Sequence, residues 1–251
     1  MKNKFFFKKK LSNIYKSPSR FSEVTSQILY GEKFKILSKK KYWIKIKTSF
    51  DNYVGYIKKG KFDKTFKPTN KICKLKSRIF KRINNKFIST NNFLCFASGI
   101  SIKNRNNNYV EFEKNKWVKA NDIKKIDHYE NNFSRILKLF LNTKYLWGGK
   151  TFKGIDCSAL IQIYFYYNRI FFPRDSKDQV KFCKKKRNKK LSKGDIIFWK
   201  GHVGMCLNRS KFIHAYGPKK KVLIMSTNLT IKVIKKTAKL MVKKVSNIKN
   251  F

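Results

Sequence analysis

The chain has 251 residues, of which 41% are hydrophobic and 16% aromatic, and its formal charge is +49. That much apolar material excludes wholesale disorder, and the length allows one or two ordinary domains or several small ones. The charge points towards polyanions, but it is nearly all lysine and is spread from Lys2 to Lys249 among the Asn, Ile, Phe and Tyr that AT-rich codons favour, so compositional drift is sufficient to produce it, selection for a polyanionic partner is the alternative, and adhesion to polyanions at low salt is expected either way.

The first ten residues, Met1-Lys-Asn-Lys-Phe-Phe-Phe-Lys-Lys-Lys10, hold too short an apolar run for a signal peptide, and no stretch approaches a transmembrane span. Cysteines stand at 73, 95, 157, 183 and 206, an odd number without CxxC or metal-ligand spacing. A cytoplasmic placement is therefore expected, with non-classical export as the alternative, and neither a disulfide framework nor a zinc site is expected.

Residues 12–60 read as short strands. Phe34/Ile36, Tyr42/Ile44/Ile46 and Val54/Tyr56 alternate with a period of two, and Ser17-Pro18-Ser19, Gly31-Glu32 and Asp51-Asn52 punctuate them as turns. The segment 22–32, Trp43, and Tyr53-Val-Gly-Tyr-Ile57 resemble a bacterial SH3 (SH3b) domain, a small β-barrel. Residues 66–126 look like a second, more degenerate copy, opening at Pro68-Thr69 and carrying a hydrophobic strand at Phe93–Phe96, then Gly99 and Trp117-Val118. A boundary falls near residue 128. Beyond it, Phe133, Ile136, Leu137, Phe140 and Leu141 recur at steps of three and four and predict a helix, capped by Asn131 or Asn132.

The informative segment is Tyr145-Leu-Trp-Gly-Gly149 followed by Gly154-Ile-Asp-Cys157-Ser-Ala-Leu-Ile-Gln162. Cys157, Leu160, Ile161, Tyr164 and Phe165 share one helical face, which puts Cys157 at a helix N-terminus, where the macrodipole favours the thiolate a peptidase needs as nucleophile. Only three histidines are available to act as its base. His202 follows Gly194-Asp195 and a buried strand, Ile196–Trp199; His214 follows twelve positions later in Phe212-Ile-His-Ala215. Antiparallel neighbours at that spacing bring the two imidazoles together, with His214 orienting His202. Cys73, Cys95, Cys183 and Cys206 read as small buried hydrophobes, and His128 as a solvated bystander. Tyr145 and Trp147 suit core packing as well as substrate contact. Arg174 reads as pairing with Asp175 or Asp178 in a structural turn, and Lys184–Lys190 as a solvated loop.

These blocks, with Phe-Pro-Arg-Asp-Ser-x-x-Gln (172–179), Gly-Asp-Ile-Ile-Phe-Trp-x-Gly-His-Val-Gly and Ile-His-Ala, together resemble the NlpC/P60 family of cell-wall cysteine peptidases. The resemblance implies an α+β chain in which a papain-like catalytic domain over 128–251 follows one or two SH3b-like barrels. It makes Cys157 the nucleophile, His202 the base and His214 the orienting residue, and sets Tyr145, Asp156 and Ser158 along the substrate cleft. It implies hydrolysis of peptidoglycan stem peptides, between γ-D-glutamate and a diamino acid, with no metal or cofactor. The missing signal and free thiols favour recycled muropeptides as substrates. In such relatives an SH3b domain closes the non-primed end of the cleft and selects a free N-terminal L-alanine, for whose amine Asp156 offers a carboxylate. The chain departs from the family pattern after Ala215, where relatives often carry Asn and a His-rich stretch and this sequence reads Tyr216-Gly-Pro-Lys-Lys-Lys221. Two rival readings remain: a non-catalytic wall or polyanion binder, which the intact Cys157, His202 and His214 oppose, and a nucleic-acid-binding SH3-like protein, which rests on charge alone.

Overall fold

β-Branched and aromatic residues at every second position populate one side of a pleated strand, and the start of the chain folds accordingly. In the computed structural model, which describes residues 4–60, 62–188 and 190–249, six antiparallel strands form one sheet in the order Lys4–Phe6, Lys33–Lys39, Trp43–Thr48, Val54–Lys58, Leu11–Tyr15 and Val24–Leu29. Ile14, Ile28, Phe34, Ile44, Ile46 and Ile57 gather around Phe7 as its core. The expected alternation stops one residue short: the strand begins at Trp43, and Tyr42 stays exposed before it.

A second all-β half follows. Asn104–Asn106, Tyr109–Glu113, Lys116–Lys119, Lys76–Ile83 and Lys86–Cys95 make a five-stranded sheet, while Gly99–Ile100, Asn70–Ile72 and Ile123–Lys125 make a three-stranded one. Its pattern is blurred in the sequence because the tip of the Lys76–Cys95 hairpin stands in solvent, with Ile83 and Ile88 both exposed. The two halves meet along a seam that only glycine allows. Gly31 has φ +78°, and a Cβ there would lie 2.0 Å from the Gly99 carbonyl oxygen. The Gly99 N–H donates to the Tyr30 carbonyl, and the Tyr30 hydroxyl donates to Glu113 at 2.7 Å. Both halves belong to one unit, Met1–Tyr129.

The second unit, Glu130–Phe251, mixes helices with a five-stranded antiparallel sheet. The strand order is Lys221–Ser226, Lys211–Tyr216, His202–Cys206, Asp195–Trp199, Lys244–Asn247. The helix Cys157–Tyr167 lies against the His202–Cys206 and Lys211–Tyr216 strands. All of its residues except Tyr166 are buried, so the single apolar face read from its sequence was too narrow: this helix is central and enclosed all round. Fully burying each such large apolar side chain contributes about 1.5–3 kcal/mol. The predicted first helix forms as Phe133–Leu139 behind Asn132, burying Phe133, Ile136 and Leu137. Ser176–Phe182 and Thr227–Ala238 complete the helices.

Among its described residues, the lysine-rich loop at 184–190 departs from the solvated reading at one position. Lys186 turns inward and pairs with Asp195, which is fully buried and also accepts from the Ser192 N–H and the Asn247 amide. Among the described residues no helix is long and apolar enough to cross a membrane.

Candidate active site

Cys157 is the first residue of its helix, and Asp156 is the N-cap, accepting the Ala159 N–H at 2.8 Å through Oδ1. Its thiol lies 4.0 Å from the Gly201 carbonyl and is hydrogen-bonded by the Val203 N–H, so it rests against the backbone on both sides of His202. Gly201, at φ +75°, makes the tight turn between Trp199 and His202, which are cross-strand partners. The next strand runs antiparallel, pairing Met205 with Ile213 and Cys206 with Phe212. This register carries His214 alongside His202, with His202 Nε2 3.0 Å from His214 Nδ1. The intervening Gly204 is required: a Cβ there would sit 2.4 Å from the Phe212 ring and 2.9 Å from the His214 Cβ. The sequence block His-Val-Gly thus places one histidine and makes room for the other.

The pair is enclosed by aromatic rings. Trp199 lies 5.6 Å from His202, and Phe212 and Tyr216 lie 5.3 and 4.7 Å from His214. His214 is fully buried while His202 keeps part of its ring at the surface. Burial pulls His202 down to about 4 and, helped by the neighbouring His202, His214 to about 3. Burial pushes the Cys157 thiol up to about 12, and the Asp156 carboxylate adds to the rise; the hydrogen bonds from the Val203 and Ser158 N–H groups and the Arg174 charge oppose it without prevailing. The helix N-terminus favours the thiolate as expected, but burial, which spacing does not reveal, acts in the opposite direction. Desolvation works against the dipole here, and burial disfavours the charged forms of the thiol and of both imidazoles.

Asp156 and Ser158 were expected along the substrate cleft, with Asp156 free to meet an amine. The structure engages both in a buried clamp. Arg174 grips Asp156 with both nitrogens, Nη2 to Oδ2 at 2.6 Å and Nη1 to Oδ1 at 3.0 Å. Oδ2 also accepts the Gly148 N–H, and Oδ1 accepts the Ser158 hydroxyl, whose oxygen accepts in turn from Arg174. Arg174 and Asp156 are 2% and 5% exposed, and with these donors no lone pair of the carboxylate remains for a substrate amine. Arg174 does take a structural role, but its partner is Asp156 and not Asp175 or Asp178.

The rest of the Pro-Arg-Asp-Ser-x-x-Gln block explains itself the same way. Gln179, fully buried, donates to the carbonyls of Ser158 and Pro173, and Gln162 donates to that of Phe172. Asp175 is left over. It is the N-cap of Ser176–Phe182 without a capping bond, and among the described residues its carboxylate has no hydrogen bond or ion pair. Burial raises its pKa against the pull of Arg174, and Asp156 stands close enough to add to the rise. The sequence reading missed Asp175 as a candidate; its adjacency to Arg174 disguised it as that arginine's partner.

Tyr145 forms a bridge with Ile155 on the approach to Cys157, and its ring lies against Gly217. Burial raises its phenol pKa, and the Cys157 and Asp156 charges add to the rise, so its hydroxyl stays a neutral donor near the thiol. Trp147, two residues on, is 59% exposed and so is not the core residue that one reading allowed.

The NlpC/P60 family pattern matches residues 142–240, and the bacterial dipeptidyl-peptidase SH3 domain pattern matches residues 14–61. The chain is 25% identical to the gamma-D-glutamyl-L-lysine dipeptidyl-peptidase of Bacillus subtilis over 83% of this chain and 77% of that one. It is 24% identical to dipeptidyl-peptidase 6 of Lysinibacillus sphaericus over 82% of this chain and 84% of that one. An NlpC/P60 family protein from Bacillus cereus shares the fold at a TM-score of 0.76 and 18% identity, covering 90% of this chain and 94% of that one. The cysteine, the paired histidines and the two matching patterns converge: over residues 142–240 the chain carries an NlpC/P60 family domain of the thiol-peptidase type, with a bacterial SH3 domain over residues 14–61 on its N-terminal side.

Proposed function

We propose that this protein hydrolyses the γ-D-glutamyl–diamino acid bond of free peptidoglycan stem peptides, with Cys157 as nucleophile, His202 as general base and His214 as its orienting partner. The observation that carries the assignment is the 3.0 Å bond between His202 Nε2 and His214 Nδ1. It commits Nε2 and leaves Nδ1 of His202 for the thiol. For Nδ1 to accept a proton, the His202 proton must sit on Nε2 and be donated to His214 Nδ1, which puts the His214 proton on its own Nε2. Cys157 Sγ attacks the peptide carbonyl as its proton passes to His202 Nδ1. The tetrahedral intermediate collapses, the C–N bond breaks, and the departing amine takes that proton, leaving a thioester. Water then attacks the thioester carbonyl, His202 accepts its proton and returns it to the departing sulfur, and the product leaves as an acid. The Tyr145 hydroxyl is suited to donate to the developing oxyanion.

Substrate selection in this reading rests on Asp175. A free N-terminal amine needs a carboxylate that is not already engaged; Asp156 is closed by Arg174, and Asp175 is not. The relatives named for γ-D-glutamyl dipeptidyl-peptidase activity support the bond class. Mass spectrometry of purified muropeptides incubated with wild type and Cys157→Ala tests the activity: wild type yields the dipeptide and Cys157→Ala yields none. With N-acetylated peptide, or with Asp175→Asn on free peptide, kcat/KM falls by at least about 2 kcal/mol, the scale of a buried charge losing its partner. Equal rates on free and acetylated peptides would remove amine recognition from the reading.

A further inference from the structure

An imidazole held by one hydrogen bond can still swing about that bond. His214 is in this position: Nδ1 meets His202, but Nε2 is buried with no hydrogen-bond partner among the described residues. Polar contacts alone do not fix its ring plane. The strand supplies another contact. Phe212, His214 and Tyr216 alternate with their neighbours along Lys211–Tyr216 and share one face of it. Phe212 meets His214 edge-on at 65° and His202 meets it at 64°, so neither lies flat against it. Tyr216 does: its ring centroid is 4.7 Å from that of His214 with only 16° between the planes. The Tyr216 ring also reaches His202, at 5.9 Å, and is 7% exposed. Tyr216 is the residue at which the sequence leaves the family pattern.

We propose that Tyr216 is a positioning residue for the peptidase reaction, its ring stacked on His214 so that the imidazole keeps the plane in which Nδ1 meets His202. The role belongs to the aromatic face and not to the hydroxyl. It rests on the reading of His202 as base, and it concerns the chemical step, since Tyr216 acts through His214 and not on the substrate.

The experiment uses the full chain and a free L-Ala-γ-D-Glu-diamino acid peptide. Tyr216→Leu removes the flat face and lowers kcat by at least about tenfold with KM within about twofold, as misplacement of a catalytic group by a fraction of an ångström does. Tyr216→Phe keeps the face and keeps wild-type kcat. Independently, the ring protons of His214 in wild type and in Tyr216→Phe show an upfield ring-current shift in carbon–proton NMR spectra, which stands even where Tyr216→Leu fails to fold. Wild-type kcat in Tyr216→Leu, a loss in Tyr216→Phe as large as that in Tyr216→Leu, or an unshifted His214 in wild type would each overturn the proposal. Failure of the functional reading looks different: wild type itself would leave the peptide uncut while the ring-current shift remained.

Discussion

The Arg174–Asp156 clamp is open to a direct thermodynamic test. Arg174→Met keeps most of the side-chain volume and removes the charge, leaving an ionised carboxylate that retains the Gly148 and Ala159 N–H groups and the Ser158 hydroxyl. Asp156→Asn leaves the guanidinium without a counter-charge at a site where the arginine side chain is 1% exposed. Breaking a buried pair from one side costs about 3–5 kcal/mol, and the surviving donors put Arg174→Met at the lower end, about 3 kcal/mol. A domain has only about 5–15 kcal/mol to lose, so both variants fold at low temperature and melt early. The double variant removes both charges together and should be less destabilised than the two singles summed, by at least about 1 kcal/mol. Urea denaturation of the four proteins, followed by near-UV circular dichroism and by loss of peptidase activity, measures the cycle. Activity should fail at lower urea than the global transition in the single variants, because the clamp ties the Gly148 turn to the helix end that carries Cys157. A cost below about 1 kcal/mol for Arg174→Met, or singles that add fully in the double variant, would refute the clamp as a buried, coupled pair.

Three further outcomes are expected. His202→Ala abolishes turnover and His214→Ala reduces it less, since the base moves a proton and its partner holds geometry; near-normal kcat in His202→Ala, measured on a stem peptide, contradicts the assignment. Iodoacetamide at neutral pH, read by peptide mass mapping, labels Cys73 before Cys157, because Cys73 is the one cysteine of the five that is not buried and the Cys157 thiol is pushed up by burial. Stability depends on the histidine pair in acid: both folded pKa values lie below the unfolded 6.5, so the stabilisation is complete above 6.5 and is lost as pH falls towards about 4. Each pH unit in that window costs about 1.4 kcal/mol for each histidine the folded state keeps neutral. Urea midpoints at pH 7, 6 and 5 check this, and a flat profile contradicts it.

The legible parts of the site were those where chain order and spatial order coincide. Gly154-Ile-Asp-Cys157 reads as a helix start because the cap, Asp156, and the first helical residue, Cys157, are consecutive. The two histidines read as neighbours because adjacent antiparallel strands turn a separation of twelve into contact. Arg174 was misread for the opposite reason. Its partner lies eighteen positions back, across the helix Cys157–Tyr167, while Asp175 and Asp178 stand nearer along the chain, and nothing in one sequence ranks a distant acid above a near one. The burial of Cys157 was equally out of reach, since spacing gives the helix end but not what packs around it. The degenerate second half of the first unit kept its strands but hid them, because Lys and Asn interrupt the alternation in a hairpin whose tip is exposed.

Burial at both ends of the proton transfer constrains how the chemistry proceeds. Burial pushes the thiol up and pulls His202 down, so desolvation opposes a standing thiolate–imidazolium pair. In the mechanism proposed above, the proton leaves sulfur as the carbon–sulfur bond forms, with the helix N-terminus and the Tyr145 hydroxyl proposed to meet the growing charge on the carbonyl oxygen. The proton is in flight in the first irreversible step, so kcat/KM should be lower in D2O than in H2O at matched plateau pH. A preformed ion pair would have completed that transfer beforehand and would show a ratio at or below unity. The alkylation rate of Cys157 gives an independent reading: it should keep rising with pH beyond 9.0, the ordinary thiol value, instead of levelling off there. A unit isotope ratio together with an alkylation plateau below pH 8 would establish the ion pair and show that the fields of the helix end and Arg174 outweigh the desolvation of Cys157.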